Sequence, residues 1–142
     1  MIKELTYKET VKFIPLLEKN PSLNLFFLNN IKLLKFGTDY KVYHTPGLLM
    51  MHSKFLNIVL FKYDDYDTNE VAHFIEEKKP ISINGPKDAL SPLEGILTGN
   101  WETTYPPMMS VTKEDFTKCV TRSDNLSFLL TYEDFLEVAE LY

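Results

Sequence analysis

The sequence predicts an α/β (α+β) fold, and three observations carry that expectation. Segments with strand-like apolar patterning and segments with helical spacing interleave along the chain. Strand-like runs joined by Pro46-Gly47 and by Ser53-Lys54 read as a meander. The stretch "IVLFKYDDYDTNEVAHFIEEKK", residues 58–79, reads as a buried strand, a short acidic turn and an amphipathic helix. At 142 residues the chain is long enough for one domain with its own core.

The elements follow in order. "MIKELTY" alternates Ile2, Leu5 and Tyr7 loosely and predicts a first strand. "KETVKFIPLLEK" places Val11, Phe13, Ile14 and Leu17 on one helical side, and Pro15, which lacks an amide donor, kinks it or opens a new turn. Asn20-Pro21 restarts the helix, with Asn20 as cap and Pro21 at the first helical position. Leu25, Phe27, Leu28, Ile31 and Leu34 make that helix apolar over much of its circumference, so it is expected to be well buried. Gly37 stops it as a left-handed cap.

In the meander, "DYKVYHT" is a strand with Tyr40, Val42 and His44 on one face, and "LLMMHS" is the next. "FLNIVLFKY" is nearly continuous in apolar residues, the pattern of a strand covered on both faces. Asp67 then reads as an N-cap with Glu70 completing a capping box, and the helix that follows buries Val71, Phe74 and Ile75. "PISING" is a short strand ended by Asn84-Gly85. "PKDALSPLEGIL" is a helix with Leu90, Leu93, Ile96 and Leu97 inward. One or two strands are expected over Trp101 to Tyr105 and Met108 to Val111. From residue 113 the chain turns polar like a linker, then resumes helical periodicity at Phe135, Val138 and Leu141.

Composition narrows the function classes. A net charge of -5 argues against a general nucleic-acid or membrane-surface binder. No apolar run is long enough to span a membrane and no signal-peptide pattern opens the chain, so a cytoplasmic location is expected. Cys119 is the sole cysteine, which rules out an internal disulfide and a cysteine metal cluster. Arg122 is the sole arginine, so a bidentate phosphate clamp has little to draw on.

Local chemistry offers few candidates. Asp65, Asp67, Asn69 and Glu76 match the first, third, fifth and twelfth positions of a calcium loop. Glu70, however, stands where that loop needs glycine, and a strand rather than a helix precedes it. A helix cap with negative charge at the positive end of the macrodipole accounts for the same residues. His44, His52 and His73 are spread over two strands and a helix with no spacing that implies a metal. Asn84 and Gly85, ahead of Pro86, are weak candidates for holding an anion or polar ligand through free amides, against the plain reading of a turn and cap. Tyr40, Tyr43, Trp101 and Tyr105 are read as core before they are read as a pocket.

The order strand, kinked helix pair, three-strand meander, helix, strand, helix, two strands resembles the general-control-type N-acetyltransferase (GNAT) superfamily. It is similar to the degenerate N-terminal half of tandem proteins in which a second, active GNAT domain follows. The resemblance rests on "LLEKNPSLNLFFLNNI", on "YKVYHTPGLLMMHSKFLNIVLFKY", on "ISINGP" and on "TRSDNLSFLLTYEDFLEVAELY". It implies a mixed, mostly antiparallel sheet flanked by helices. It also implies a GNAT-like domain over 1–112, with 113–142 as a linker and the start of a second, truncated GNAT-like domain, or as a C-terminal association segment.

Active family members hold the pyrophosphate of acetyl-coenzyme A on a Gly-rich loop, led by Arg or Gln, after the meander's last strand. Here that position reads Tyr63-Asp64-Asp65-Tyr66-Asp67-Thr68-Asn69-Glu70, with no Gly, Arg or Gln. A like-charge pair at contact distance costs on the order of a few kcal/mol at surface dielectric. The resemblance therefore implies no acetyl-coenzyme A site in this chain, the cofactor belonging to a partner or following domain. The family's catalytic Glu is missing from "FLNIVLFK" and its general-acid Tyr from "PKDALSPLEGIL". No catalytic, cofactor-binding or metal residue is assigned. The implied role is a non-catalytic half of an N-acetyltransferase that packs against a GNAT catalytic domain in cis or in trans and shapes structure or substrate. Two alternatives stay open: a stand-alone acetyl-coenzyme A-dependent enzyme with an atypical site, and a module that self-associates through residues 128–142.

Overall fold

A computed structural model describes residues 1–104 apart from 22, 35–38 and 55–56. The expectations for Gly37, Tyr105, Met108 to Val111, Cys119 and Arg122, and for segments 113–142 and 128–142, fall outside those residues.

The chain opens with strand β1 (Lys3–Leu5), then helix α1 (Tyr7–Thr10), a single 3₁₀ turn at Val11–Phe13, and helix α2 (Ile14–Leu17). Thr6 and Glu9 form a complete capping box at α1, each side chain bonding the other's backbone amide. Pro15 lies at the start of α2, where a missing amide donor costs nothing. The helical run is thus split into short pieces, as Pro15 implies.

Helix α3 (Leu25–Leu34) begins later than Asn20-Pro21 predicts. Asn20 does accept from the Leu23 amide at 3.4 Å, but only a turn follows. Asn24 is buried and donates its side-chain amide to the Leu17 carbonyl at 2.9 Å, so the polar link that ends α2 also fixes where α3 starts. The expectation that this helix is well buried is corrected as well. Phe27 and Ile31 are buried, whereas Leu25 is 57% exposed and Phe26 41%. Leu28 and Leu34 are partly buried against the same cluster as Phe27 and Ile31, and the Phe26 and Tyr40 rings meet edge to face.

Strands β2 (Tyr40–Thr45), β3 (Leu48–Ser53) and β4 (Asn57–Lys62) form the antiparallel meander, with β1 added antiparallel beside β2. Helix α4 (Thr68–Lys78) then carries the chain across to β5 (Ser82–Asn84), which pairs parallel with β4, and helix α5 (Lys87–Glu94) follows. The result is an α+β fold with a mixed, mostly antiparallel sheet in the order β1-β2-β3-β4-β5, flanked by helices.

The sheet separates two apolar clusters. On one face Tyr43, Leu48, Met50, Ile58 and Leu60 meet Val71, Ala72, Phe74 and Ile75 of α4 and Ala89 and Leu93 of α5. On the other, Val42, Leu49, Met51 and Phe61 meet Leu17, Phe27 and Ile31. Successive residues of β3 enter opposite clusters because strand side chains alternate. That is why β3 and β4 read as continuous apolar runs. Each fully buried Leu, Ile or Met contributes roughly 1.5–3 kcal/mol by leaving water.

Two further expectations are corrected. Ile96 follows the end of α5 and is 37% exposed, while Leu93 is buried and Leu90 and Leu97 are partly packed. Trp101–Thr104 form no strand, and Trp101 is 39% exposed. Its indole bonds the Thr98 carbonyl at 3.3 Å, a local tie that needs no sheet.

Candidate functional site

The turn between β4 and α4 is where strand, helix start and charge converge. Its backbone is anchored from beneath by the β2–β3 hairpin. The amides of Tyr63 and Asp64 both donate to the Gly47 carbonyl, at 2.9 and 3.2 Å. Gly47 has φ +86°, and a Cβ there would lie 2.1 Å from the Asp65 carbonyl oxygen. Only glycine permits both that conformation and that approach.

Two of the amides that open α4 are already engaged. Asp67 is the N-cap, and its Oδ1 accepts from the amides of Asn69 and Glu70, each at 3.0 Å. A carboxylate therefore sits at the positive end of the helix dipole, where a phosphate would otherwise be favoured. Glu70 does not complete the expected capping box. Its carboxylate instead accepts from the Thr45 hydroxyl at 2.9 Å and pairs with the amino group of Met1 at 2.8 Å. That ammonium contact, with the Thr45 bond, holds Glu70 below the usual carboxylate range.

Tyr66 closes the other side of the turn. Half-buried against the α4–α5 cluster, it donates its hydroxyl to the Ala89 carbonyl in α5 at 2.5 Å. Burial, with the Asp88 charge nearby, pushes its phenol up to about 12, so it stays a neutral donor. A surface depression of about 310 Å³ beside the turn is lined by Met1, Thr45, Pro46, Asp65, Tyr66, Asp67 and Glu70, so three carboxylates reach it and the Met1 ammonium offsets one of them. The one described lysine of β4, Lys62, faces Asp65 at 3.4 Å.

Asn84 and Gly85 lie together at the end of β5. Asn84 is exposed and donates to Ser82 at 3.2 Å. Gly85 lies against Leu60, where a Cβ would come to 3.0 Å of that side chain. Pro86 caps α5 without a side-chain bond, and Asp88 adds negative charge to the first helical turn. The calcium-loop reading does not assemble. Asp67 and the Asn69 amide are used in the cap, and Glu76 instead accepts from Thr98 at 2.7–2.8 Å. Among the described residues no three His, Cys, Asp or Glu side chains gather as metal ligands.

The histidines separate as their positions imply. His73 is exposed on α4. His44 Nε2 meets the Tyr63 hydroxyl at 2.7 Å, with Phe13 packed beside both rings. Burial, then the charge of Lys3, lowers His44 below an ordinary imidazole. Tyr40 and Tyr43 pack into the two clusters as core residues do. Sequence reading misses the His44–Tyr63, Tyr66–Ala89 and Thr45–Glu70 contacts, because each joins residues at least 19 positions apart. Among the described residues no helix is long and apolar enough to cross a membrane. Comparison with protein-family models, with curated proteins and with solved structures finds no match to the chain.

Proposed function

We propose that this chain is a non-catalytic, GNAT-like half of an N-acetyltransferase, a structural or substrate-shaping module that works beside a GNAT catalytic domain. The strand order, with a meander leading through a helix into a parallel strand, is compatible with that family. The observation that carries the reading is the start of α4. The amides of Asn69 and Glu70 are taken by the Asp67 carboxylate, and Asp65, Asp67 and Glu70 line the depression beside it. A pyrophosphate placed there would find those donors occupied and meet Asp65 and Asp67 directly, with the Met1 ammonium already engaged by Glu70. On this reading, titration of the purified chain with acetyl-coenzyme A in a calorimeter gives no saturable heat up to about millimolar ligand. Micromolar binding would overturn the reading.

A second reading, a stand-alone acetyltransferase with an atypical site, is favoured by one observation. The His44–Tyr63 pair is a hydrogen-bonded imidazole and phenol at the end of β4, chemistry able to pass a proton. Incubating the chain with acetyl-coenzyme A and a panel of amines separates the two. Turnover that disappears in His44→Gln supports the enzyme, and its absence across the panel supports the non-catalytic module.

A further inference from the structure

His52 lies on β3, on the face that meets α4. Its cross-strand neighbours are Lys41 of β2 and Ile58 of β4. Opposed residues share a face, so Lys41, Tyr43, Met50 and His52 all look toward the same helices. The Nε2 atom of His52 is buried and has no hydrogen-bond partner among the described residues. A bare lone pair in that position is tolerable, whereas an N–H there would be a buried donor facing no acceptor.

The surroundings are cationic. Lys78, in the last turn of α4, places its Nζ 5.6 Å from the ring centre of Tyr43 and 5.3 Å from that of Phe74. This contact and the burial of Ile75 seat the end of α4 on the sheet. The charged and titratable groups set against His52 are Lys41 and Tyr43 from β2, Glu4 from β1 and Lys78 from α4. Glu4 is engaged by Lys41 at 3.2 Å and Lys78 has Glu77 at 3.5 Å. His73 also belongs to α4 but lies on its exposed side.

We propose that His52 makes the seat of α4's last turn on the sheet acid-sensitive: the turn is held while the imidazole is neutral and loosens when it takes a proton. Protonation converts a buried acceptor into an unpartnered donor and adds a third cation beside Lys41 and Lys78. Lys78 is then repelled from the two rings it covers. Burial, followed by Lys78 and Lys41, lowers His52 below an ordinary imidazole. The stabilisation is therefore whole above about pH 6.5 and is lost as pH falls through the folded-state value. This device is independent of whether the chain binds acetyl-coenzyme A.

Amide hydrogen exchange along α4, compared at about pH 7.5 and about pH 5.5 as protection factors, tests it. The expected result is a several-fold loss of protection at the amides of Ile75 to Lys79 on acidification. His52→Gln removes that loss, Lys78→Met reduces it, and the control His73→Gln leaves it in place. The same loss in His52→Gln overturns the proposal. Should that variant fail to fold, titration of the wild-type imidazole by NMR decides. A midpoint below 6.5, with α4 shifts following it, supports the device, and a midpoint at or above 6.5 overturns it.

Discussion

Gly47 and Gly95 show how differently one residue type is used. Gly47 has φ +86° and sits under the Asp65 carbonyl, so a methyl group there is opposed by both backbone strain and a backbone neighbour that cannot turn away. Gly95 caps α5 in a right-handed conformation with nothing within 4 Å of a Cβ. Gly47→Ala is expected to cost about 2 kcal/mol or more. Gly95→Ala is expected to stabilise by about 0.4–1 kcal/mol, by restricting the unfolded chain. Urea denaturation of the two variants checks the pair, and equal effects would show that the acidic turn does not rest on the hairpin. From the sequence Pro46-Gly47 is readable as a turn. That it supports residues 63–65 is not readable, because nothing local links the two segments.

Among the elements, the two capped helices make the sharpest comparison. Thr6-Tyr7-Lys8-Glu9 and Asp67-Thr68-Asn69-Glu70 spell the same N-cap pattern. The first closes into a full box. The second keeps only its forward half, because Glu70 is drawn to Thr45 across the sheet. Asp67→Ala is expected to cost about 1 kcal/mol in urea denaturation, since two amides lose their acceptor. It also strips the carboxylate from the helix start. If the non-catalytic reading is right, Asp67→Ala alone still does not bind acetyl-coenzyme A, because Asp65 and Glu70 remain and no glycine loop is created. Glu9 carries a second signature. Its bond from Lys3, then those from Thr6, lowers it to about 2. That contribution is present above the unfolded value near 4.5 and is lost as pH falls toward about 2. An NMR titration of Glu9 in wild type and in Thr6→Val reads it directly, with the midpoint rising in the variant.

For the whole molecule, acid stability is expected to fall in two stages. His44 and His52 are both held below an ordinary imidazole, chiefly by burial, so each favours the folded state fully above about pH 6.5 and progressively less below it. Glu9, Glu70 and Glu76 are held below 4.5 by hydrogen bonds and charge, so their contributions start to fall below that value and are lost as pH drops through the folded-state values. Urea midpoints measured from about pH 8 to about pH 3 should therefore drop first across the histidine range and again across the carboxylate range. Added salt should flatten the second drop more, because Glu9 and Glu70 are partly exposed and their pairs with Lys3 and the Met1 ammonium are screened. A single drop confined to the carboxylate range would show that the imidazoles are not buried as described. By itself the sequence determined what depends on neighbours a few residues away. Apolar periodicity set the strands and helices, glycine and proline set their breaks, and Asp67 set the cap that fills the start of α4. Only the tertiary structure decided what depends on distant partners. It placed β5 parallel to β4, turned one stripe of α3 inward and left Leu25 and Phe26 outside, drew Glu70 to Thr45, and buried the unpartnered Nε2 of His52. The reason is physical: backbone preference and side-chain period act within a turn or two of chain, whereas burial and charge act across space, and space is assigned only when the chain has folded.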